Sequence, residues 1–167
     1  MAVEEKEEEK YWYALYTKSR CEKKVEEEIN ELGYPVYLPM VTRLKQWSDR
    51  KKKVQEPLIK SYVFVKANKT DRYKIIQTVN NAVMYIKFQG NDAPIPDWQI
   101  NTLKRIVEKN IPYELQTKKL APGQHVTVKH GPFKNCQGEI LRIKRKDVFV
   151  IRLDGIGYTL TMDLSGD

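Results

Sequence analysis

The stretch that decides the fold is Val54-Gln55-Glu56-Pro57-Leu58-Ile59-Lys60-Ser61-Tyr62-Val63-Phe64-Val65. Its second half alternates, so that Tyr62 and Phe64 fall on one face of an extended chain and the two valines on the other. The basic run Asp49-Arg50-Lys51-Lys52-Lys53 comes directly before it. The pattern therefore predicts that a charged loop leads into a β-strand.

The segments around this strand alternate between β and α patterns. Residues 11–16 are rich in aromatic side chains and predict a strand, and Ser19 and Glu22 have the spacing of a capping box at the start of a helix. Gly33 is placed to end that helix in the left-handed conformation. The remaining predicted elements are an edge strand at 34–40, a strand at 61–66, a helix that begins near Thr70 or Asp71, a strand at 82–88 and a helix at 97–109. The order β-α-β-β-α-β-α predicts an α+β fold, a split β-α-β (ferredoxin-like) sandwich with one added helix.

The last third of the chain has a different composition. Residues 110–119 are polar and predict a linker, and short alternating segments separated by turn residues follow from residue 120. Strands this short must curl into a small barrel to protect their edges. Runs such as Val148-Phe149-Val150-Ile151 favour β structure, and the glycines between them would each cost a helix about 1 kcal/mol. We therefore expect strands here and not a helical hairpin.

Composition narrows the functional classes. Hydrophobic residues make up 41% of the chain, but no apolar run approaches the ~20 residues that span a bilayer. Residues 1–10 are acidic and predict a disordered tail, which resembles neither a signal nor a transit peptide. Cys21 and Cys136 are far apart in the sequence, which favours a reduced, cytoplasmic setting.

Positive charge is concentrated in one segment. The formal net charge is +8, and residues 43–60 contain seven basic residues and two acidic ones. A solvated loop explains such a run, but an aromatic residue among the cations is typical of surfaces that bind single-stranded nucleic acid. The candidate nucleic-acid-binding residues are Arg43, Lys45, Trp47, Arg50, Lys51, Lys52 and Lys53.

Patterns typical of enzymes and metal sites are missing from the sequence. It contains no glycine-rich phosphate loop, no Gly-x-Ser-x-Gly and no zinc-ligand spacing. His125 and His130 have no cysteine or carboxylate partner nearby in the sequence. We expect no catalytic residue, no metal and no cofactor.

Both parts of the chain resemble the NusG family of transcription factors. The first part resembles the NusG N-terminal (NGN) domain in Trp12-Tyr13, in Glu22-Lys23-Lys24-Val25 and in Tyr62-Val63-Phe64-Val65. The last part resembles an SH3-like KOW barrel in Gly131-Pro132-Phe133 and Gly138-Glu139-Ile140. The resemblance implies an NGN domain at 11–109, a linker at 110–119 and a KOW domain at 120–167. Residues 46–65 are especially similar to the specialised UpxY-like and RfaH-like antiterminators.

The resemblance also implies a function and a set of contacts. In this family an apolar patch of the NGN domain binds the clamp coiled coil of RNA polymerase, which maps onto Ile59 and Tyr62, with Tyr16 on the neighbouring strand. The basic segment would lie near upstream or non-template DNA, and Phe133 would help the KOW domain to recruit a ribosomal protein or a termination factor. We expect a monomer that promotes processive elongation without binding a membrane. The alternatives are a housekeeping NusG acting at all genes and a ribosome-associated KOW protein that binds RNA.

Overall fold

The computed structural model describes residues 8–117, 120–131, 133–153 and 156–164. Most of the tail expected at 1–10 lies outside these ranges, and residues 8–10 precede the first strand without regular structure. The chain divides into two compact units, Met1–Ile86 and Lys87–Asp167. Each unit is described separately below.

The first unit contains two helices and six strands. They are β1 (Tyr11–Thr17), α1 (Glu22–Glu31), β2 (Val36–Tyr37), β3 (Met40–Gln46), β4 (Lys51–Pro57), β5 (Tyr62–Ala67), α2 (Lys69–Thr78) and β6 (Ala82–Tyr85). Four of the strands form an antiparallel sheet in the order β2-β5-β1-β6. This order is the split β-α-β topology that the sequence predicts.

Both helices pack on one face of this sheet. Leu15 of β1 and Val63 of β5 form a core with Val25 and Ile29 of α1 and Ile75 of α2. Val25 and Ile29 are four residues apart, which places both on the buried side of α1. The expected capping box at Ser19 does not form, because Cys21 occupies the N-cap position of α1 without a side-chain bond.

Residues 40–57 form a β-hairpin and not the loop that the charge pattern suggested. Strands β3 and β4 pair antiparallel over their full length, from Met40 opposite Pro57 to Gln46 opposite Lys51. The amide of Trp47 donates to the carbonyl oxygen of Arg50 at 2.7 Å and closes the turn. The hairpin is a separate two-stranded sheet.

Among its described residues, the second unit contains one α-helix and seven strands. They are β7 (Lys87–Phe88), β8 (Asn91–Asp92), α3 (Asp97–Glu108), β9 (Glu114–Gln116), β10 (Gln124–Thr127), β11 (Gln137–Ile143), β12 (Lys146–Leu153) and β13 (Tyr158–Asp163). The last five form an antiparallel sheet in the order β10-β11-β12-β13-β9. The expectation of strands and not helices after residue 124 is therefore confirmed.

Two features differ from the expected domain boundaries. The expected linker at 110–119 contains β9, which pairs with β13, so this part of the segment belongs to the C-terminal sheet. Helix α3, expected to end the first domain, contacts this sheet as well. The side chain of Gln99 donates to the carbonyl oxygen of Arg152 at 2.7 Å, and the rings of Trp98 and His125 lie 5.3 Å apart. Through these contacts α3 belongs to the same compact unit as the C-terminal sheet.

A close approach between β11 and β12 fixes the core of the C-terminal sheet. The ring of Phe149 is fully buried and lies against the backbone of Gly138. A Cβ atom at Gly138 would come within 2.5 Å of the Phe149 ring, so only glycine fits this position without a shift of the ring.

Candidate functional site

Three large side chains, two of them exposed and one half-buried, lie side by side across the sheet of the first unit. In the strand register Tyr16 of β1 is opposite Tyr62 of β5 on one side and Met84 of β6 on the other. Met84 is 51% exposed, Tyr16 is 37% exposed, and Tyr62 is half-buried. We call these three residues the sheet row. The centroids of its two aromatic rings are 5.6 Å apart.

The sheet row lies on the face opposite α1 and α2. Trp12 and Ala14 alternate with the core residues of β1 and so share this face with Tyr16, as Phe64 shares it with Tyr62. All three of these neighbours are buried. On this face the aromatic and thioether side chains that reach solvent are therefore those of the sheet row. Aromatic residues and methionine are enriched at protein interfaces.

A hydrogen bond from a distant helix holds the backbone beside Tyr62. Ser61 has a φ of 67°, in the left-handed region that non-glycine residues adopt rarely. Its amide donates to the carboxylate of Glu22 at 2.9 Å, and its carbonyl oxygen accepts from the amide of Thr17 at 2.8 Å. These two bonds connect the start of β5 to the end of β1 and fix the position of Tyr62.

On the core side of the same sheet, the side chain of Arg72 lies near two tyrosine rings. The guanidinium of Arg72 on α2 lies 3.9 Å from the ring centroid of Tyr13 and 5.6 Å from that of Tyr85. Burial raises the pKa of the Tyr85 phenol, so this group stays neutral. The contact joins β1 to β6 on the core side of the sheet.

Ile59, expected to contact the polymerase, lies inside the protein. It is 1% exposed, as is its neighbour Leu58, because the turn between β4 and β5 directs both apolar side chains away from solvent. This placement excludes a direct surface contact by Ile59 in the present conformation. Of the three residues expected in the patch, the structure brings Tyr16 and Tyr62 together and buries Ile59, while Met84 lies beside Tyr16 on the other side.

Met84 was not among the candidates that the sequence suggested, although its strand was predicted. Alternation along residues 82–88 separates Met84 from its neighbour Tyr85. It does not reveal which strand lies beside them. The pairing with Tyr16 depends on the order β5-β1-β6, which only the folded sheet defines.

All seven residues expected to bind nucleic acid lie on the β3–β4 hairpin or in its turn. They are Arg43 and Lys45 on β3, Trp47 and Arg50 in the turn, and Lys51, Lys52 and Lys53 on β4. Trp47 is 51% exposed, and the ammonium of Lys52 lies 5.4 Å from its ring centroid. The hairpin thus presents cations and an aromatic ring on an ordered ribbon.

One carboxylate neutralises part of this charge. Glu56 forms ion pairs with Arg43 at 3.0 Å and with Lys45 at 2.9 Å. The hydrogen bond from Lys45 and the two positive charges lower the pKa of Glu56 below its usual value. Within the described residues, no ion pair with an acidic group occurs at Arg50, Lys51 or Lys53.

Phe133, expected to be an exposed partner contact, is buried in the second unit. It is 7% exposed, and its ring centroid lies 5.2 Å from that of Phe149. The ring therefore packs in the core of the C-terminal sheet and cannot act as a surface contact there. The motif gave the position of this residue in the chain but not the direction of its side chain.

The described residues carry no arrangement that points to a metal or to a membrane span. No group of three or more histidine, cysteine or acidic side chains in these ranges is placed to hold a metal ion. No helix among them is long and apolar enough to cross a membrane.

Known proteins resemble this chain over most of its length. A sequence model of the NusG family, described as transcription termination factor nusG, matches residues 10–104. The transcription termination/antitermination protein NusG of Rickettsia typhi is 21% identical over 147 residues, which cover 82% of this chain and 77% of the relative. Its counterpart from Rickettsia conorii is 20% identical with the same coverage.

Solved structures of related proteins are also similar. A structure described as domain interaction in Thermotoga maritima NusG has 23% identity and a TM-score of 0.47, with 94% of this chain and 95% of that chain covered. A crystal structure of the MjSpt4:Spt5 complex has 17% identity and a TM-score of 0.29, with coverage of 93% and 94%. At these scores the structural similarity adds no argument to the sequence match. Because the family model matches more than half of its residues, the chain belongs to the NusG family of transcription termination factors.

Proposed function

We propose that this protein is a specialised transcription elongation and antitermination factor that binds RNA polymerase through the sheet row. The observation that carries the proposal is the alignment of the half-buried Tyr62 with the exposed Tyr16 and Met84 on one sheet face. Membership of the NusG family supports a role in transcription without catalysis. The protein would act by binding alone.

The proposed partner of the sheet row is the clamp coiled coil of the polymerase. An apolar ridge of a helical hairpin suits a shallow row of two rings and a thioether, because methionine adapts its shape to the surface that it contacts. A factor bound there favours whichever clamp state it binds more tightly. We infer that the factor binds the closed clamp more tightly. Binding would then favour processive elongation over pausing.

The proposed partner of the β3–β4 hairpin is DNA, either upstream duplex or the exposed non-template strand. Six basic residues and the exposed Trp47 lie on this ribbon with two acidic residues. Phosphate contacts supply most of the affinity of such surfaces, and an aromatic ring stacks on unpaired bases. The same residues carry the resemblance to the UpxY-like and RfaH-like factors, which supports a specialised role.

The proposed domain assignment follows the family match. We assign 11–109 to the NGN domain, since the match extends to residue 104 within α3. The C-terminal sheet from Glu114 onward corresponds to the KOW domain and recruits a further protein, either a ribosomal protein or a termination factor. Because Phe133 is buried, other residues of this sheet must provide that contact.

A pull-down from a bacterial lysate tests the proposal against its alternatives. The full chain should retain polymerase subunits, and Met84→Asp should lose them while Tyr73→Asp, an equally polar change at a residue 67% exposed on α2, should not. Recovery of ribosomal subunits alone would favour the ribosome-associated alternative. Occupancy along the genome separates the two remaining readings, because a specialised factor should be found at few operons and a housekeeping NusG at all transcribed genes.

A further inference from the structure

The two faces of the β3–β4 hairpin differ in charge compensation. Side chains of directly opposite residues in an antiparallel pair point to the same face, and successive residues alternate. One face, which we call the paired face, therefore contains Arg43, Lys45, Lys52, Glu56 and the valines of β3 and β4. The other, which we call the open face, contains Met40, Thr42, Leu44, Gln46, Lys51, Lys53, Gln55 and Pro57.

Cations on the paired face already have partners within the hairpin. Lys45 lies directly opposite Lys52, a like-charge pair that is unfavourable by itself. Glu56 compensates for it by pairing with Lys45 and Arg43, and Lys52 lies over the ring of Trp47. A phosphate that approached Arg43 or Lys45 would have to displace the Glu56 carboxylate and would be repelled by it.

The open face has no such competition. Its residues from Thr42 to Gln46 and from Lys51 to Gln55 are exposed. Met40 and Pro57, the pair at the base of the hairpin, are half-buried, as are Val41, Val54 and Glu56 of the paired face. Lys51 and Lys53 are opposite Gln46 and Leu44, so neither faces a like charge or a carboxylate across the ribbon. They are two residues apart on one strand, a separation of about 6.8 Å along it. Leu44, which is 60% exposed, adds an apolar surface beside them.

We propose that the open face is the DNA-binding surface of the hairpin, with Lys51 and Lys53 contacting phosphates and Leu44 packing against sugars or base edges. On this account the ion pairs with Glu56 keep Arg43 and Lys45 from contacting DNA, so that only the open face of the hairpin binds it. The inference rests on the proposed contact between the hairpin and DNA. It assigns that contact to two of the seven basic and aromatic candidates and gives Arg43 and Lys45 a role in the hairpin itself.

Two double variants with the same change in net charge test this assignment. Lys51→Gln/Lys53→Gln removes two cations from the open face, and Arg43→Gln/Lys45→Gln removes two from the paired face. Affinity for a fluorescent single-stranded 20-mer and for the matching duplex is measured against salt concentration with the full chain. For single-stranded DNA, each phosphate contact contributes about 0.7 to the slope of the logarithm of affinity against the logarithm of salt concentration. The slope measured for the open-face variant should therefore be smaller in magnitude by about 1.4. The slope measured for the paired-face variant should change little.

A third variant, Glu56→Gln, tests the role of the carboxylate. It releases Arg43 and Lys45 and should raise affinity and steepen the salt dependence, provided that amide chemical shifts show an intact hairpin. A fall in affinity with the hairpin intact would contradict the role given to Glu56.

The outcomes separate this inference from the function on which it rests. Equal losses in both double variants, or a loss only in the paired-face variant, would overturn the assignment of the open face while the hairpin remained a DNA contact. Unchanged affinity and slope in both variants, with both probes, would overturn the DNA contact itself. If the paired-face variant unfolds the hairpin, the comparison of the open-face variant with Glu56→Gln decides the question.

Discussion

The carboxylate of Glu22 accepts a hydrogen bond from the amide of Ser61, 39 residues further along the chain, at 2.9 Å. Glu22 is the first residue of α1 and is buried, and Ser61 is the last residue before β5. The bond therefore connects the start of a helix to the start of the strand that carries Tyr62. The following two predictions concern the contribution of Glu22 and Ser61 to the stability of the first unit.

Removal of this acceptor should destabilise the first unit. Glu22→Ala leaves the Ser61 amide without its partner, which costs about 1–3 kcal/mol for a buried group. Glu22→Gln keeps an acceptor oxygen at the same reach and should cost less. Chemical denaturation measures both free energies of unfolding, and equal losses for the two variants would contradict a hydrogen-bond role.

Ser61→Gly should have the opposite effect. The φ of 67° at Ser61 is strained for a residue with a Cβ atom and is normal for glycine. Relief of this strain should raise the free energy of unfolding by about 1 kcal/mol. The gain should persist in the Glu22→Ala background, because glycine removes strain whether or not the amide is paired. A loss of stability in both backgrounds would show that the Ser61 side chain has a role which the structure does not reveal.

The sequence predicted most of the regular elements because their patterns are local. Aromatic side chains marked β1, and Gly33, with a φ of 87°, ends α1 as expected. The β3–β4 hairpin escaped prediction for a physical reason. Both of its faces are largely polar and exposed, so no hydrophobic alternation distinguishes it from a charged loop.

Candidate site residues were harder to predict because burial is a property of the whole fold. A motif locates Ile59 and Phe133 in the chain, but the side chains of both turn inward. Met84 belongs to the sheet row only through its pairing with Tyr16 on another strand. The seven residues proposed to bind nucleic acid lie together on one hairpin and its turn. Their division between two faces required the register of the two strands.

The close contact between Gly138 and Phe149 predicts a coupled pair of core substitutions. Gly138→Ala places a methyl group within 2.5 Å of the Phe149 ring and should destabilise the C-terminal sheet by about 1–3 kcal/mol. Phe149→Leu removes the ring, so the same alanine should cost less in that background. Thermal unfolding of the four proteins gives the coupling energy. Strict additivity would contradict the predicted clash.

The ion pairs of Glu56 predict a pH dependence of the hairpin. Because its pKa is lowered in the folded state, mainly by Lys45, the stabilisation is present above the usual value of 4.5 and is lost as the pH falls through the lowered pKa. A carboxyl-carbon NMR titration of Glu56 should give a midpoint below 4.5, and Lys45→Gln should move it upward. A midpoint that does not respond to Lys45→Gln would contradict the pairing.

The affinity of the purified full chain for core RNA polymerase is the most direct test of the central claim, that the sheet row binds the polymerase. Tyr16→Ala and Met84→Ala each remove an exposed side chain from the row, and Tyr73→Ala removes an exposed ring elsewhere in the same unit. Truncation of a residue that carries binding energy at an interface costs more than about 1 kcal/mol, so each row variant should weaken binding by about fivefold or more. Tyr73→Ala should bind like the unmodified chain. Equal affinity of all four proteins, with the fold of each intact by circular dichroism, would contradict the claim.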